Sequence, residues 1–88
     1  MAESQNVANN SQLLVVGEDD FSFETLEQEN GQATMIRFSI DSRRYSAGDM
    51  LLVLSGSEIH FHGMIGQIED GMATAADRRG SLLPVTIQ

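Results

Sequence analysis

The only two histidines of the chain lie two positions apart in the stretch SEIHFHGMI, residues 57–65. Alternate residues of a β-strand point to the same face, so a strand over 58–62 would place Glu58, His60 and His62 side by side. Imidazole nitrogens and carboxylate oxygens are ligands of zinc and iron. The residue types would therefore allow a metal site, and with it the chemistry of a small cupin-like, metal-dependent enzyme.

The same alternation also fits a half-buried strand with one wet face. Ile59 and Phe61 would then fill the buried side. The chain has no cysteine and no third histidine, whereas a closed zinc site needs four ligands and a catalytic one usually three. We therefore expect His60 and His62 to point to solvent or to a partner, with no metal or other cofactor bound.

Other sequence signals of catalysis are missing. The chain contains no phosphate-binding loop, dinucleotide fingerprint or nucleophile elbow. Two arginine pairs, Arg43-Arg44 and Arg78-Arg79, could meet a phosphate, a partner's carboxylate or acids of their own chain. These features predict a protein that is not an enzyme.

The charge balance narrows the choice of partners. The 88 residues carry a formal net charge of −8, and all five cations are arginines. Clustered positive charge drives nonspecific nucleic-acid binding, so direct binding to nucleic acid is not expected. Most of the acids lie in residues 1–41, where they either keep the protein soluble or form a face for a basic partner. We expect no membrane contact and no signal peptide, and hence a virion or cytoplasmic protein.

Residues 1–12 are polar and aperiodic, which predicts a flexible N-terminal arm before a single domain over 13–88. Asn30-Gly31 is a preferred centre for a type I′ hairpin turn. Folding the flanks around that turn gives the predicted pairs Glu29–Gln32, Leu26–Met35, Thr25–Ile36, Glu24–Arg37, Phe23–Phe38 and Phe21–Ile40. The alternative for residues 21–29 is a helix.

The second half of the chain contains further strand and turn signals. Residues 50–54 are all apolar, which predicts a strand covered on both faces, and 55–57 reverse the chain through a two- or three-residue loop. Gly63 and Gly66 indicate a bulge or bend. Asp70-Gly71 predicts a second type I′ turn, followed at 73–77 by a strand or a helical turn. Because Pro84 lacks an N–H, residues 83–87 should either form an edge strand or enter the sheet only after Pro84.

Together these signals predict an all-β fold, a small barrel or sandwich of six to seven short antiparallel strands. Within it, residues 36–70 resemble the small β-barrel modules of phage tail and baseplate hubs and related injection machines. The motifs that carry the resemblance are Y-x-x-G-D and F-x-G-x-I, here Tyr45, Gly48, Asp49, Phe61, Gly63 and Ile65. The resemblance implies a structural, assembling role.

We therefore expect a non-enzymatic virion or assembly component that contacts other copies of itself or neighbouring subunits. The candidate partner-binding residues are Leu13, Val15, Arg43, Arg44, Arg78 and Arg79. One alternative is an acidic module that blocks a basic surface of another protein. The other is the metal-dependent enzyme built on Glu58, His60 and His62.

Overall fold

A computed structural model describes residues 11–77 and 79–85 and shows an all-β chain, as predicted. Its strands are β1 (Leu13–Gly17), β2 (Glu24–Glu29), β3 (Gln32–Ser39), β4 (Met50–Ser55), β5 (Glu58–Glu69) and β6 (Met72–Ala76). A short 3-10 turn, Glu18–Asp20, follows β1. Residues 1–10 of the predicted arm lie outside the described residues, so that part of the arm stays a prediction.

The strands form one six-stranded sheet in the order β1-β4-β5-β6-β3-β2. The sheet is open, with β1 and β2 at its edges, so the fold is sandwich-like and not a closed barrel. Buried side chains from β3, β4, β5 and β6, together with Leu83, make a single core. Leu14 and Val16 of β1 pack against it.

β1 runs parallel to β4, so the prediction of an entirely antiparallel sheet is wrong at this strand. A parallel pair needs a long crossover connection, and here the β2–β3 hairpin lies in it. The carboxylate of Asp49 fixes the start of β1, because it accepts hydrogen bonds from the Gln12 and Ser46 N–H groups, both at 2.9 Å. Gln12, the last residue of the predicted arm, is thus held in place.

Both predicted type I′ turns are present. Asn30 and Gly31 have φ values of 56° and 80°, and Asp70 and Gly71 have 55° and 77°. The predicted β2–β3 pairs are confirmed at Glu29–Gln32, Thr25–Ile36 and Glu24–Arg37. The helix alternative for 21–29 is wrong, and an irregularity places Glu27 opposite Met35 where Leu26 was expected.

Two phenylalanines precede β2, so the ladder does not extend to them as predicted. The ring of Phe21 packs edge-on against Phe38, with 5.4 Å between the centroids. Phe21 also stacks on Phe23 at 5.6 Å. The aromatic cluster forms, but Phe21 makes the contact with Phe38 that was predicted for Phe23.

β6 is a strand, so the helical-turn alternative for 73–77 is wrong. At the β4–β5 turn, Leu54 pairs with Ile59, which is the register of the two-residue Gly-Ser turn. An irregularity at His60 then brings Val53 opposite Phe61. Neither predicted register holds along the whole hairpin.

The C-terminal segment returns to β3 after a loop. The Ala33 N–H donates to the Leu83 carbonyl at 2.7 Å, and Pro84 forms an isolated bridge with Gln32. The Leu82 N–H donates to the His60 carbonyl on β5 at 2.8 Å. Residues 82–85 therefore link β5 to β3. This corrects the prediction of an edge strand over 83–87, and the contacts with β3 begin before Pro84, not after it; residues 86–88 lie outside the described part of the chain.

Gly63 of β5 lies close to the backbone of Ala76 in β6. A Cβ atom there would overlap the Ala76 carbonyl oxygen and would lie 2.8 Å from the carbonyl carbon. It would also lie 2.7 Å from the Phe61 ring. The predicted irregularity is therefore confirmed at Gly66 and wrong at Gly63. The other irregularity of β5 lies at His60, and Gly63 provides room for the next strand.

Replacing Gly63 with alanine should lower the free energy of unfolding by about 2 kcal/mol, because the neighbouring backbone must move to admit a methyl group. Urea unfolding of the full chain measures this. Gly66→Ala is the matched control, since its Cβ would meet only Thr74 Oγ1 at 3.9 Å. We expect the control to change stability by less than about 0.5 kcal/mol. Equal midpoints for the two variants would contradict the close approach.

Candidate docking surface

The face of the sheet opposite the core carries a continuous apolar row. Met50 of β4 pairs with Leu13 on one side and Met64 on the other. Ala76 of β6 pairs with both Met64 and Met35. Laterally paired residues share a face. These five residues, called the outer row below, therefore cross five neighbouring strands without a charged side chain.

Further apolar side chains lie beside the outer row. Val15 pairs with Leu52, and Leu54 pairs with Ile59. The exposed fractions are 53% for Leu13, 48% for Val15, 57% for Met64 and 52% for Ile59. Met50, Leu52 and Leu54 are themselves half-buried, so within the described residues the prediction that both faces of residues 50–54 are covered holds fully on the core face and only in part on the outer face. The irregularity at His60 also turns Ile59 outward, against the expectation that it is buried.

Three methionines, Met35, Met50 and Met64, line a shallow cavity of about 630 Å³ on this face. Methionine is unbranched and polarisable, and it adapts its shape to different apolar partners. Met72 of β6 also lies on this face, because Ala73 and Ala75 point into the core. All four methionines of the described residues are thus on the outer face.

The polar rim of the cavity contains Arg79, one of the candidate residues. The guanidinium of Arg79 donates to His62 Nδ1 at 2.6 Å. The buried carboxylate of Asp77 accepts hydrogen bonds from the backbone N–H groups of His62 and Arg79, at 3.0 and 3.1 Å. Arg78 lies outside the described residues. His62 and Arg79 therefore belong to one rim of the docking surface.

The other arginine pair lies in the loop between β3 and β4. Arg43 Nε is 3.5 Å from Asp41 Oδ1 in an exposed ion pair. The Arg44 guanidinium lies over the Tyr45 ring, 5.8 Å from its centroid. The Gln12 side-chain amide donates to the Arg44 carbonyl, which places this loop next to the start of β1. The five candidate residues that the structure describes thus do not form one patch: Leu13 and Val15 lie on the apolar face and Arg79 at its rim, whereas Arg43 pairs with Asp41.

His60 does not face solvent, which corrects the sequence-based expectation. Its Nδ1 is 2.6 Å from Glu18 Oε1, its Nε2 is 3.1 Å from Glu58 Oε1, and 17% of its side chain is exposed. The contact with Glu18 joins the turn after β1 to β5, across β4. No local sequence signal links residues 42 positions apart.

The candidate metal ligands are not gathered around one point. Both ring nitrogens of His60 are occupied by carboxylates, and His62 turns instead towards Arg79. Within residues 11–77 and 79–85, no three or more His, Cys, Asp or Glu side chains are placed to hold a metal ion. The contacts of these residues therefore hold β5 in place and do not form a set of metal ligands.

The two carboxylates raise the pKa of His60. The hydrogen bond with Glu58 is the largest cause of this increase, and partial burial acts in the opposite direction. The hydrogen bond with Glu18 and the negative charges of both glutamates raise the pKa further. The Glu18 contact is nevertheless the shorter and the less exposed of the two. Because solvent screens exposed pairs, we assign the larger structural role to Glu18.

No protein-family model, curated protein or solved structure matches this chain. The resemblance to phage hub modules therefore stays a prediction. In the described residues, no helix is both long and apolar enough to cross a membrane.

The His60 contacts should make stability depend on pH. A group whose pKa is raised by folding stabilises the fold fully below its unfolded pKa, near 6.5 for histidine, and this contribution is lost as pH rises through the folded pKa. As pH rises from about 6.5 through the folded pKa of His60, the free energy of unfolding should therefore fall, by up to about 1 kcal/mol for a partly exposed pair. Chemical unfolding at several pH values measures the change.

Glu18→Gln should reduce this pH dependence, because it removes one of the two charges that His60 contacts. Glu27→Gln is the control: it removes an exposed acid of β2 and leaves the His60 contacts intact. A pH dependence that is the same in both variants would show that the Glu18 contact contributes nothing.

Proposed function

We propose that this chain is a non-enzymatic structural or assembly protein that acts through protein–protein contacts. The observation that carries this proposal is the apolar outer row, which reaches the uncharged edge strand β1. Contiguous apolar surface on a small domain typically marks a contact with another protein. The partners would be neighbouring subunits of an assembly.

The two edges of the sheet differ in a way that favours β1 as the contact strand. β2, ETLEQE, exposes acidic side chains along its length, and charged edges resist pairing with other strands. β1, LLVVG, has no charge. An unprotected apolar edge is suited to strand addition, in which the backbone supplies affinity and the side chains supply specificity.

The phage assignment, to a tail, baseplate or capsid-associated component, rests on the resemblance of residues 36–70. Two of its motif residues have structural roles here. Asp49 anchors β1, and Gly63 admits β6 beside β5. A motif that maintains the fold is consistent with a scaffold whose partner contacts lie elsewhere, on the outer row. In this proposal the chain is cytoplasmic before assembly and part of the virion afterwards.

A second candidate function follows from β2. Glu27 and Glu29 are exposed on this edge strand, and Glu24 pairs with Arg37 at 2.6 Å. Such an acidic edge suits a module that binds and blocks a basic surface of another protein. This candidate places the contact at the opposite edge of the sheet, so charge substitutions separate the two.

The test compares how much of the Met64→Lys and the Glu27→Lys chain is incorporated into multi-subunit particles purified from the native source. Both residues are exposed, so both variants should fold, and thermal unfolding checks this. Wild-type chain should be present in the particles in stoichiometric amount. Met64→Lys should reduce incorporation at least tenfold, because it places a charge in the outer row, whereas Glu27→Lys should be incorporated normally.

The reverse result, in which only Glu27→Lys is lost, would favour the acidic module. A chain that is absent from every multi-subunit particle would contradict the assembly proposal.

A further inference from the structure

The peptide groups of β1 that point away from the sheet can be identified. The Gln12 carbonyl accepts from the Met50 N–H at 2.9 Å, and its N–H donates to Asp49 Oδ1. Gln12 thus faces β4. Because peptide groups alternate in direction along a strand, Leu13, Val15 and Gly17 present their N–H and C=O groups to the open edge. Among the described residues no strand pairs with that edge.

We infer that β1 pairs with β1 of a second copy, antiparallel, with Val15 on the two-fold axis. This inference rests on the proposed function, which uses the β1 edge, and it identifies the partner at that edge as a second copy of the chain. In this register Leu13 lies opposite Gly17 of the second copy. Every outward-facing residue then meets another outward-facing residue, as the hydrogen-bonded positions of an antiparallel pair require. It is the one register that pairs all five residues of both strands.

Charge favours this orientation. Residues 4–12 contain no charged side chain, whereas β1 is followed directly by Glu18, Asp19 and Asp20. Antiparallel pairing places Glu18 and Asp19 beside the neutral residues Gln12 and Ser11 of the second copy. Parallel pairing would set the two acidic turns against each other, and pairing through β2 would do the same with its glutamates. The net charge of −8 makes such avoidance of like charges important.

The side chains also fit. Val15 would lie beside its own copy on the outer face. Leu13, which is half exposed, would lie over Gly17, where even an added Cβ would meet nothing within 4 Å. The outer rows of the two copies would join into one apolar surface. A self-complementary patch of this kind is the usual basis of a two-fold dimer.

The contact is small. Pairing of two five-residue strands buries far less than the roughly 1,200 Å² of a standard stable interface. The dimer should therefore be weak for the chain alone and should strengthen where many copies are held together. Solution measurements accordingly need protein concentrations up to about 1 mM.

Single cysteines test the register, because the chain has no cysteine of its own. Hydrogen-bonded antiparallel positions have Cα atoms about 5.5 Å apart, within the roughly 4.4–6.8 Å span of a disulfide. Val15→Cys should therefore form a disulfide-linked dimer under mild oxidation. Leu13→Cys should not link to itself, since its two copies would lie about 14 Å apart at ~3.4 Å per residue.

The matched controls use the same positions. Gly17→Cys alone should also form no disulfide-linked dimer, but an equal mixture of Leu13→Cys and Gly17→Cys should give the mixed disulfide. Sedimentation provides the non-covalent readout: wild-type chain should reach twice its 9.6 kDa monomer mass. Val15→Lys should weaken self-association at least tenfold while thermal unfolding shows an intact fold.

Two results would overturn the inference. One is a Val15→Cys chain that stays unlinked at about 1 mM, as expected if a terminal segment of the same chain covers the edge. The other is a Leu13→Cys chain that links to itself as fast as Val15→Cys. If self-pairing fails but Val15→Lys still prevents incorporation into particles, β1 binds a different subunit and the proposed function stands. If incorporation is also unaffected, β1 plays no part in assembly.

Discussion

The sheet depends on one close approach, that of the Ala76 carbonyl group to Gly63, where the Cβ of any other residue would overlap the carbonyl oxygen. β5 pairs with β4 before this point and with β6 after it, and Met64 pairs with both. β4 carries β1, while β6 leads to β3 and β2. The two halves of the sheet, and with them the outer row, are continuous because β6 can approach β5 this closely.

A second constraint concerns β1, which pairs with β4 alone among the strands that the structure describes. Side chains hold it at both ends. Asp49 binds the N–H of Gln12 just before the strand, and His60 binds Glu18 just after it. The hydrogen bond from Gln12 and then that from Ser46 lower the pKa of Asp49. Both anchors act from the β4–β5 side, so among the described residues neither of them occupies the opposite edge of the strand.

Local signals predicted those parts of the fold that local chemistry determines. A type I′ turn needs positive φ at both central residues, and few residue pairs adopt it readily. Asn30-Gly31 and Asp70-Gly71 are such pairs, and both have positive φ. The parallel pairing of β1 was missed, because no local pattern distinguishes a parallel strand from an antiparallel one. Gly63 was taken for a bulge because a close backbone approach and a bulge use the same residue.

The candidate surface was predicted only in part for the same reason. Leu13 and Val15 stand out in the sequence as apolar residues beside a turn. Met35, Met50 and Met64 do not, since they come together only through the pairing of separate strands. The outer row also has a chemical consequence. Methionine is the chain's only sulfur-containing residue type, and oxidation converts its thioether into a polar sulfoxide. Oxidants that reach Met64 would therefore make this surface more polar, while the buried core, which contains no sulfur, stays unaltered.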